Sequence, residues 1–258
     1  MQTPIISARN LTKAYPGSEL PALDNVSIDI QPGRSVAIMG ASGSGKTTLL
    51  HILAGILTPT QGSVLFRGAK RDYQVDQLND KKRSQLRREE FGFVFQQGLL
   101  LDELTALENV AVAKMLVGMR RRDAEQEASF WLNQVGLAGL EQRRLGQMSG
   151  GQAQRVAIAR AQITGAQVLF ADEPTGSLDS QTGIDVMGAL LGVVSTGRTL
   201  VLVTHDKDLA ANCDRVIRIR DGRIESDTDA IFTYVDNADS ASTLPIPAFD
   251  GFALAGAR

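Results

Sequence analysis

The sequence predicts an α/β fold with a parallel core, an antiparallel N-terminal part and a helical insertion. Short apolar runs alternate with helical patterns along the 258 residues. The runs at 168–171 (VLFA) and 199–204 (TLVLVT) are apolar throughout, as expected for central parallel strands that are covered on both faces. Between Gln96 and Gly165 the pattern turns helical, which indicates an insertion within the α/β core.

The individual elements can be assigned in chain order. Residues 5–30 are short and alternating, which favours an antiparallel edge sheet. Residues 35–39 (SVAIM) predict a buried strand that runs into a glycine-rich loop, and a helix is expected from about Lys46. Asp221-Gly222 is a strong two-residue hairpin signal. The other predicted elements are strands at 63–66, 91–95, 215–220 and 223–225 and helices at 106–117, 123–135 and 152–163.

Composition and charge narrow the class of protein. A hydrophobic content of 43% and a charged content of 22% are typical of a soluble globular protein. A net charge of −2 and an aromatic content of 5% give no reason to expect nucleic acid as a partner. The lone Cys213 excludes an internal disulfide, no apolar run approaches the about 20 residues of a membrane span, and a secretory signal is lacking. We therefore expect a cytosolic chain that reaches a membrane only through a partner.

Three segments differ from the rest. The charge-dense run 81–90 is interpreted as a solvated helix face, with a nucleic-acid contact as the alternative. The apolar residues 99–101 (LLL) lie in a predicted loop, where they either form a partner surface or fold under the helical block. Residues 226–258 form an acidic extension, flexible or folded into a small appended element. The predicted domains are therefore 1–225, with a helical subdomain at about 97–164, and the 226–258 extension.

The glycine-rich loop carries the clearest chemistry. Residues 40–47 (GASGSGKT) fit the pattern G-x-x-x-x-G-K-[ST], between a predicted strand and a predicted helix, which is the context of a P-loop. The glycines let backbone amides wrap phosphates, Lys46 supplies a charge to the β- and γ-phosphates, and the Thr47 hydroxyl can reach Mg²⁺. The loop predicts binding of a nucleoside triphosphate with Mg²⁺.

Further candidate residues stand at strand ends. Asp172 and Glu173 follow a predicted strand and point opposite ways, so that Asp172 can hold Mg²⁺ while Glu173 polarises the attacking water. His205 follows another apolar strand, either as a sensor of the γ-phosphate or as a solvated loop residue. Gln96 ends a third strand, where its amide can approach Mg²⁺ or water. Tyr15 is a candidate for stacking on adenine.

A second glycine-rich helix start, Ser149-Gly150-Gly151, is also an anion site, because a helix begins there with exposed N–H groups. The motifs together resemble an ATP-binding-cassette ATPase over about residues 5–225: GASGSGKT as Walker A, VLFADE as Walker B, MSGGQ as the signature, Gln96 as the Q-loop, SLD at 177–179 as the D-loop and His205 as the switch histidine. The resemblance implies a P-loop NTPase (RecA-like) core, with ATP and Mg²⁺ as cofactors.

The resemblance assigns roles to particular residues. It implies a catalytic set of Lys46, Gln96, Glu173 and His205, and metal contacts from Thr47, Gln96 and Asp172. The implied ATP contacts are Tyr15, Gly40, Ala41, Ser42, Gly43, Ser44, Gly45, Lys46, Thr47, Thr48, Ser149, Gly150, Gly151, Gln152 and Asp179. The sequence departs from the family pattern at three places: Met148 replaces leucine, Ser177 stands where Asn is common, and the segment 145–147 (LGQ) lacks a proline.

The resemblance also implies partners. Two cassettes would pair head to tail, each ATP lying between the P-loop of one copy and the signature of the other. The sequences at 93–96, 105–110 and 171–176 are similar to those of ATPases of the lipoprotein-releasing and macrolide-exporting group. Such ATPases pair with a membrane permease at the cytoplasmic face of the membrane. The permease is expected to dock on the chain near residues 96–107. Transmission of force to a cell-wall enzyme and a soluble ATPase acting on nucleic acid or ribosomes are the alternative functions.

Overall fold

The computed structural model describes residues 2–229, and the chain divides there into two compact units. The first unit comprises residues 2–87 and 201–229, and the second comprises residues 88–200. The described part contains ten strands and seven α-helices. No helix within residues 2–229 combines the length and the apolar character needed to cross a membrane.

The first unit begins with the predicted antiparallel sheet, whose four strands are β1 (Ile6–Lys13), β2 (Leu23–Ile30), β4 (Gln61–Arg67) and β5 (Asp72–Gln74). Their order in the sheet is β2-β1-β4-β5. Strand β1 pairs antiparallel with both β2 and β4, so that Ile6 lies opposite Ile30 on one side and Phe66 on the other. All three of these side chains are buried, because alternate residues point into the core.

The remaining strands of the first unit surround the glycine-rich loop. Strand β3 (Ser35–Met39) is buried at all five residues and pairs parallel with β9 (Arg215–Arg220), and β10 (Arg223–Asp229) pairs antiparallel with β9. Helix α1 (Lys46–Leu53) follows β3, and α7 (Lys207–Ala210) is a single turn. Helix α2 (Asp80–Glu90) contains the whole charge-dense run 81–90.

Strand β10 is longer than the sequence predicted. It runs to Asp229, four residues beyond the predicted domain end at 225, and residues 230–258 of the predicted extension lie outside the described part. The polar strand has no apolar alternation that could have indicated this length. It is held instead by cross-strand pairing, in which Arg215 donates from Nε and Nη2 to the two carboxylate oxygens of Asp227 at 2.6 and 2.5 Å.

The second unit combines a parallel strand pair with a group of packed helices. Strands β6 (Phe91–Phe95) and β7 (Val168–Asp172) pair in parallel, and Phe93 and Phe170 stack with ring centroids 5.8 Å apart. Strand β8 (Thr199–Val203) crosses the division between the units. The helices are α3 (Ala106–Met115), α4 (Arg121–Gln134), α5 (Gly150–Ile163) and α6 (Ser180–Ser195).

Three of these helices match the sequence prediction within two residues at each end. Helix α5 begins at Gly150 rather than at 152, because Ser149 is its N-cap. Helix α3 ends at Met115 rather than at 117, and Gly118 follows with a φ of 96°. Helix α6 was not predicted from sequence, because three interior glycines weaken its helical signal.

Candidate nucleotide site

The glycine-rich loop is built against two other segments of the first unit. Gly40 has a φ of 156°, and a Cβ there would overlap the Ile219 carbonyl of β9. Gly45 has a φ of 104°, and a Cβ there would overlap the Ala22 carbonyl just before β2. Both positions therefore need glycine for conformation and for space.

The tip of the β9–β10 hairpin is bonded to the same loop. The Gly222 N–H donates to the Ser44 carbonyl at 3.1 Å, and the Gly222 carbonyl accepts from the Asp24 N–H at 2.9 Å. Lys46 is buried in the first turn of α1, and its Nζ donates to the Ala41 carbonyl at 2.9 Å. The loop is thus stabilised by two hydrogen bonds, one from the Lys46 side chain within the loop segment and one from the Gly222 backbone of the hairpin.

A cavity of about 510 Å³ opens beside the glycine-rich loop. Loop residues 40–44 and His205 line it together with three basic side chains, Lys207, Arg218 and Arg220. Asp221 and Glu225 also line the cavity, and Glu225 pairs with Arg220 at 2.7 Å, so the excess of positive charge is small. The backbone N–H groups of the loop are therefore the main feature that suits a phosphate-bearing ligand. His205 is exposed, and the following Asp206 caps α7 by accepting the backbone N–H groups of residues 208 and 209.

Tyr15 also lies beside the P-loop helix. Its hydroxyl is 3.4 Å from the Thr48 Oγ1 of α1, and its ring is 39% exposed. The Lys13 ammonium group lies 5.3 Å from the ring centroid. The first unit therefore places an exposed aromatic ring beside the P-loop helix and His205 beside the P-loop itself, while stacking of Tyr15 on adenine stays a prediction.

The second unit contains the paired carboxylates and the glutamine. Asp172 is the last residue of β7, and Glu173 follows in the left-handed region with a φ of 47°. A non-glycine residue in this region is strained, and such strain is concentrated at functional sites. The Gly176 N–H donates to the Glu173 carbonyl at 3.2 Å, and a Cβ at Gly176 would lie 3.0 Å from the Gln96 Nε2. The Gln96 amide thus lies against the turn that follows Glu173.

The signature segment begins helix α5 with a capping box. The Ser149 Oγ accepts the Gln152 N–H at 3.2 Å, and the Gln152 Oε1 accepts the Ser149 N–H at 3.1 Å. Ser149 and Gly150 are exposed, whereas Gly151 is buried against Thr182 of α6. The Gln152 N–H is thus used by the cap, whereas the N–H groups of Gly150 and Gly151 have no acceptor within the helix, so this helix start can bind an anion.

The predicted D-loop residue Asp179 is the N-cap of α6. Its side chain accepts the Thr182 N–H at 3.0 Å, and this hydrogen bond is the main cause of an Asp179 pKa below the ordinary value. Gly151 of the signature lies against Thr182, the residue whose N–H donates to Asp179, within the second unit.

Cys213 is buried, and burial raises the pKa of its thiol to about 12, which excludes it as a nucleophile near neutral pH.

Sequence reasoning missed three polar side chains that hold the loop after Gln96. Gln154 Nε2 donates to the Phe95 carbonyl at 2.9 Å, and Arg160 donates to two carbonyls further along the loop. Asn109, which is fully buried, exchanges two hydrogen bonds with the backbone of Leu101. Their only sequence signal is a polar residue on an otherwise buried helix face.

Each unit offers an oxygen ligand of the kind that Mg²⁺ prefers. Within residues 2–229 no group of three or more His, Cys, Asp or Glu side chains could hold a metal. Mg²⁺ with a nucleotide needs only one or two protein oxygens, because phosphates and water supply the others. In the first unit the Thr47 hydroxyl at the start of α1 is of this kind, and in the second unit the Asp172 carboxylate at the end of β7 is.

The sequence of the chain matches a known protein family. A model of the family described as ABC transporter matches residues 23–176, which is more than half of the chain. The chain belongs to the ABC transporter family. It is an ABC ATPase domain, and the sequence-based assignment to this family and fold is confirmed. The roles assigned to individual site residues stay predictions.

Export proteins are among the similar relatives of this ABC ATPase domain. A pyoverdine export ATP-binding/permease protein of Pseudomonas fluorescens is 44% identical over 231 residues, which is 88% of this chain and 35% of the relative. A macrolide export ATP-binding/permease protein of Campylobacter jejuni is 46% identical over 224 residues, which is 87% of this chain and 34% of the relative. The chain thus spans about a third of the length of these relatives.

Solved ABC cassettes share the fold. The ATP-binding cassette MJ0796, in a dimeric post-hydrolysis state bound to ADP and Pi, has a TM-score of 0.79 and 37% identity. That comparison covers 87% of this chain and 98% of the MJ0796 chain. The cbiO1 protein of Clostridium perfringens, part of an ABC transporter complex, has a TM-score of 0.80 and 26% identity over 91% of this chain and 92% of that one.

Proposed function

We propose that two copies of the chain pair head to tail around two ATP molecules and that ATP hydrolysis drives a membrane permease of an export system. The observation that carries the proposal is the presence of two phosphate-binding helix starts, the P-loop before α1 and the exposed Ser149-Gly150 before α5. The second helix start, at Ser149-Gly150, has a role if it contacts the phosphate of an ATP that is bound to the P-loop of the other copy. The dimeric state described for MJ0796 supports this pairing.

The residues divide the hydrolytic work between them. The P-loop amides and Lys46 hold the phosphates, and Thr47 and Asp172 would hold Mg²⁺, which neutralises phosphate charge when bound. Glu173 accepts the proton of the attacking water, and Gln96 and His205 orient that water. Tyr15 stacks on the adenine. Because the transferred phosphoryl group needs mainly positioning and charge neutralisation, no further chemical group is required.

The permease is proposed to contact the loop after Gln96 at the cytoplasmic face of the membrane. Leu99 and Leu101 of this loop are 57% and 50% exposed, and two exposed leucines within three residues suit contact with a protein partner. The cargo class to test first is that of the relatives, which are named for export of macrolides and pyoverdine. Export of lipoproteins, haem or peptides is the wider class.

Replacement of the proposed base tests the hydrolytic function. Glu173→Gln should leave ATP binding intact and lower kcat by about 10²–10⁴-fold, because only the water-polarising carboxylate is lost. The variant should also accumulate as a dimer with ATP and Mg²⁺, which light scattering after size exclusion would detect. Rapid multiple turnover by Glu173→Gln would contradict the role of Glu173.

Copurification tests the transport function separately. A permease that is retained with the Glu173→Gln chain in ATP, and lost when Leu99 and Leu101 are both replaced by Ser, would support docking at the loop. Opening of a cell-wall enzyme without export of cargo would favour force transmission. Turnover stimulated by nucleic acid or ribosomes, with no membrane protein retained, would contradict the permease proposal.

A further inference from the structure

The loop that follows Gln96 has a strained backbone. Gly98 and Leu99 both have positive φ angles, 67° and 47°. Glycine adopts such angles freely, whereas leucine does not. The Leu99 side chain gains little from burial, since it is 57% exposed. Some other interaction must therefore hold Leu99 in this conformation.

Arg160 of helix α5 supplies that interaction. Its Nη2 donates to the Gly98 carbonyl and its Nη1 to the Leu99 carbonyl, each at 2.7 Å. The guanidinium is largely buried, and burial lowers its pKa below the ordinary value. A planar fork of two parallel N–H donors matches two successive carbonyls, which the ammonium group of lysine matches less well because its three donors have no fixed planar arrangement.

A second side chain of the same helix holds the loop on the other side of Gln96. Gln154 is buried, and its Nε2 donates to the Phe95 carbonyl, which also accepts the Gly98 N–H at 2.8 Å. The backbone on both sides of Gln96 is therefore fixed to α5, the helix that begins with the signature glycines. The Gln96 side chain then lies beside Gly176 of the turn after Glu173.

We propose that Arg160 is a positioning residue for Gln96: by holding the carbonyls of Gly98 and Leu99 it maintains a strained turn and makes the loop move with the signature helix. This inference rests on the proposed function, because it assigns Arg160 a role in the hydrolytic cycle. Loss of the clamp should release the turn and misplace Gln96, which lowers turnover without weakening ATP binding.

Steady-state ATPase kinetics of Arg160→Met test the inference. The variant should lower kcat about tenfold and keep KM for ATP within about twofold, because a small displacement of an orienting group affects the chemical step most. Arg155→Met is the matched control, since Arg155 lies on the same helix and contacts the Val135 carbonyl rather than the loop. Equal kcat in the two variants would overturn the inference.

A suppressor variant distinguishes positioning from general stability. Asparagine adopts positive φ more readily than leucine, so Leu99→Asn should restore kcat of Arg160→Met to within about threefold of the wild-type value. A structural defect elsewhere would not respond to this change, and failure of the suppressor would overturn the strained-turn account. If Arg160→Met does not fold, Arg160→Lys is measured in its place, with a smaller loss of kcat expected.

Amide hydrogen exchange gives a readout that does not depend on turnover. Exchange at residues 97–101 should rise at least about tenfold in Arg160→Met and stay unchanged in Arg155→Met. Unchanged exchange in Arg160→Met would overturn the clamp. Absence of ATPase activity in the wild-type chain would instead overturn the proposed function, with the exchange result still deciding the clamp.

Discussion

Several residues of the candidate site have positive φ angles, which most residues other than glycine avoid. Gly40 and Gly45 adopt positive φ angles next to carbonyls of distant segments, and Glu173 and Leu99 do so without being glycine. Each strained residue is accompanied by a specific support, such as the Gly176 N–H that donates to the Glu173 carbonyl. The site is therefore sensitive to changes that preserve polarity but alter backbone freedom.

Gly40→Ala should weaken ATP binding at least about 30-fold, since the strained φ and the overlap with the Ile219 carbonyl together cost about 2 kcal/mol or more. Equilibrium titration with a fluorescent ATP analogue would measure this. Gly197→Ala is the control, because Gly197 has a φ of 83° but open space around a Cβ. Equal affinity in the two variants would show that the contact with Ile219 has no influence.

The candidate chemistry-bearing residues have local sequence signals, whereas the side chains that support them do not. Lys46 is a candidate because it belongs to the P-loop pattern, and Asp172 and His205 are candidates because each stands at the end of an apolar strand. Arg160 and Gln154 could not be found in this way, since a side chain that donates to backbone carbonyls of a loop some 60 residues away has no local pattern. These supports depend on the tertiary structure alone.

At the scale of elements, helices α5 and α6 pack through the signature glycine. A Cβ at Gly151 would overlap the Thr182 Cγ2 of α6, so the close approach of the two helices requires glycine. Glycine inside a helix costs up to about 1 kcal/mol relative to alanine, and packing offsets that cost here. Helix α6 also contains interior glycines, of which Gly183 and Gly188 are buried, and these glycines concealed the helix in the sequence.

Gly151→Ala should destabilise the chain by about 1–3 kcal/mol through overpacking, although the same change usually stabilises a helix. Chemical denaturation would measure the change in the free energy of unfolding. Adding Thr182→Ala should recover most of the loss, because the nearest remaining atom of residue 182 would be its Cβ at 3.5 Å from the new methyl group. Additive losses in the double variant would argue against direct packing.

At the scale of the whole molecule, the proposed assembly makes each ATP site depend on two copies. Lys46→Ala inactivates a P-loop and Ser149→Arg inactivates a signature, so neither variant alone forms a competent site. A mixed dimer keeps one intact P-loop facing one intact signature. Activity that reappears on mixing would therefore identify a shared site.

Equal mixing of the two variants should restore up to about a quarter of the wild-type turnover, since half of randomly paired dimers are mixed and each has one of two sites intact. Coupled-enzyme measurement of phosphate release would follow it. Mixing that restores nothing would contradict a site shared between copies. Mixing each variant with itself is the control.

The bond between Gly222 and the glycine-rich loop has a consequence for synthesis of the chain. The loop at 40–47 leaves the ribosome early, but the Ile219 carbonyl beside Gly40 and the N–H that supports Ser44 belong to the last strands of the described part. A nascent chain shorter than 222 residues lacks these supports. Nucleotide affinity is therefore expected only after residue 222 has left the ribosome, so that ATP binding indicates a nearly complete ATPase domain.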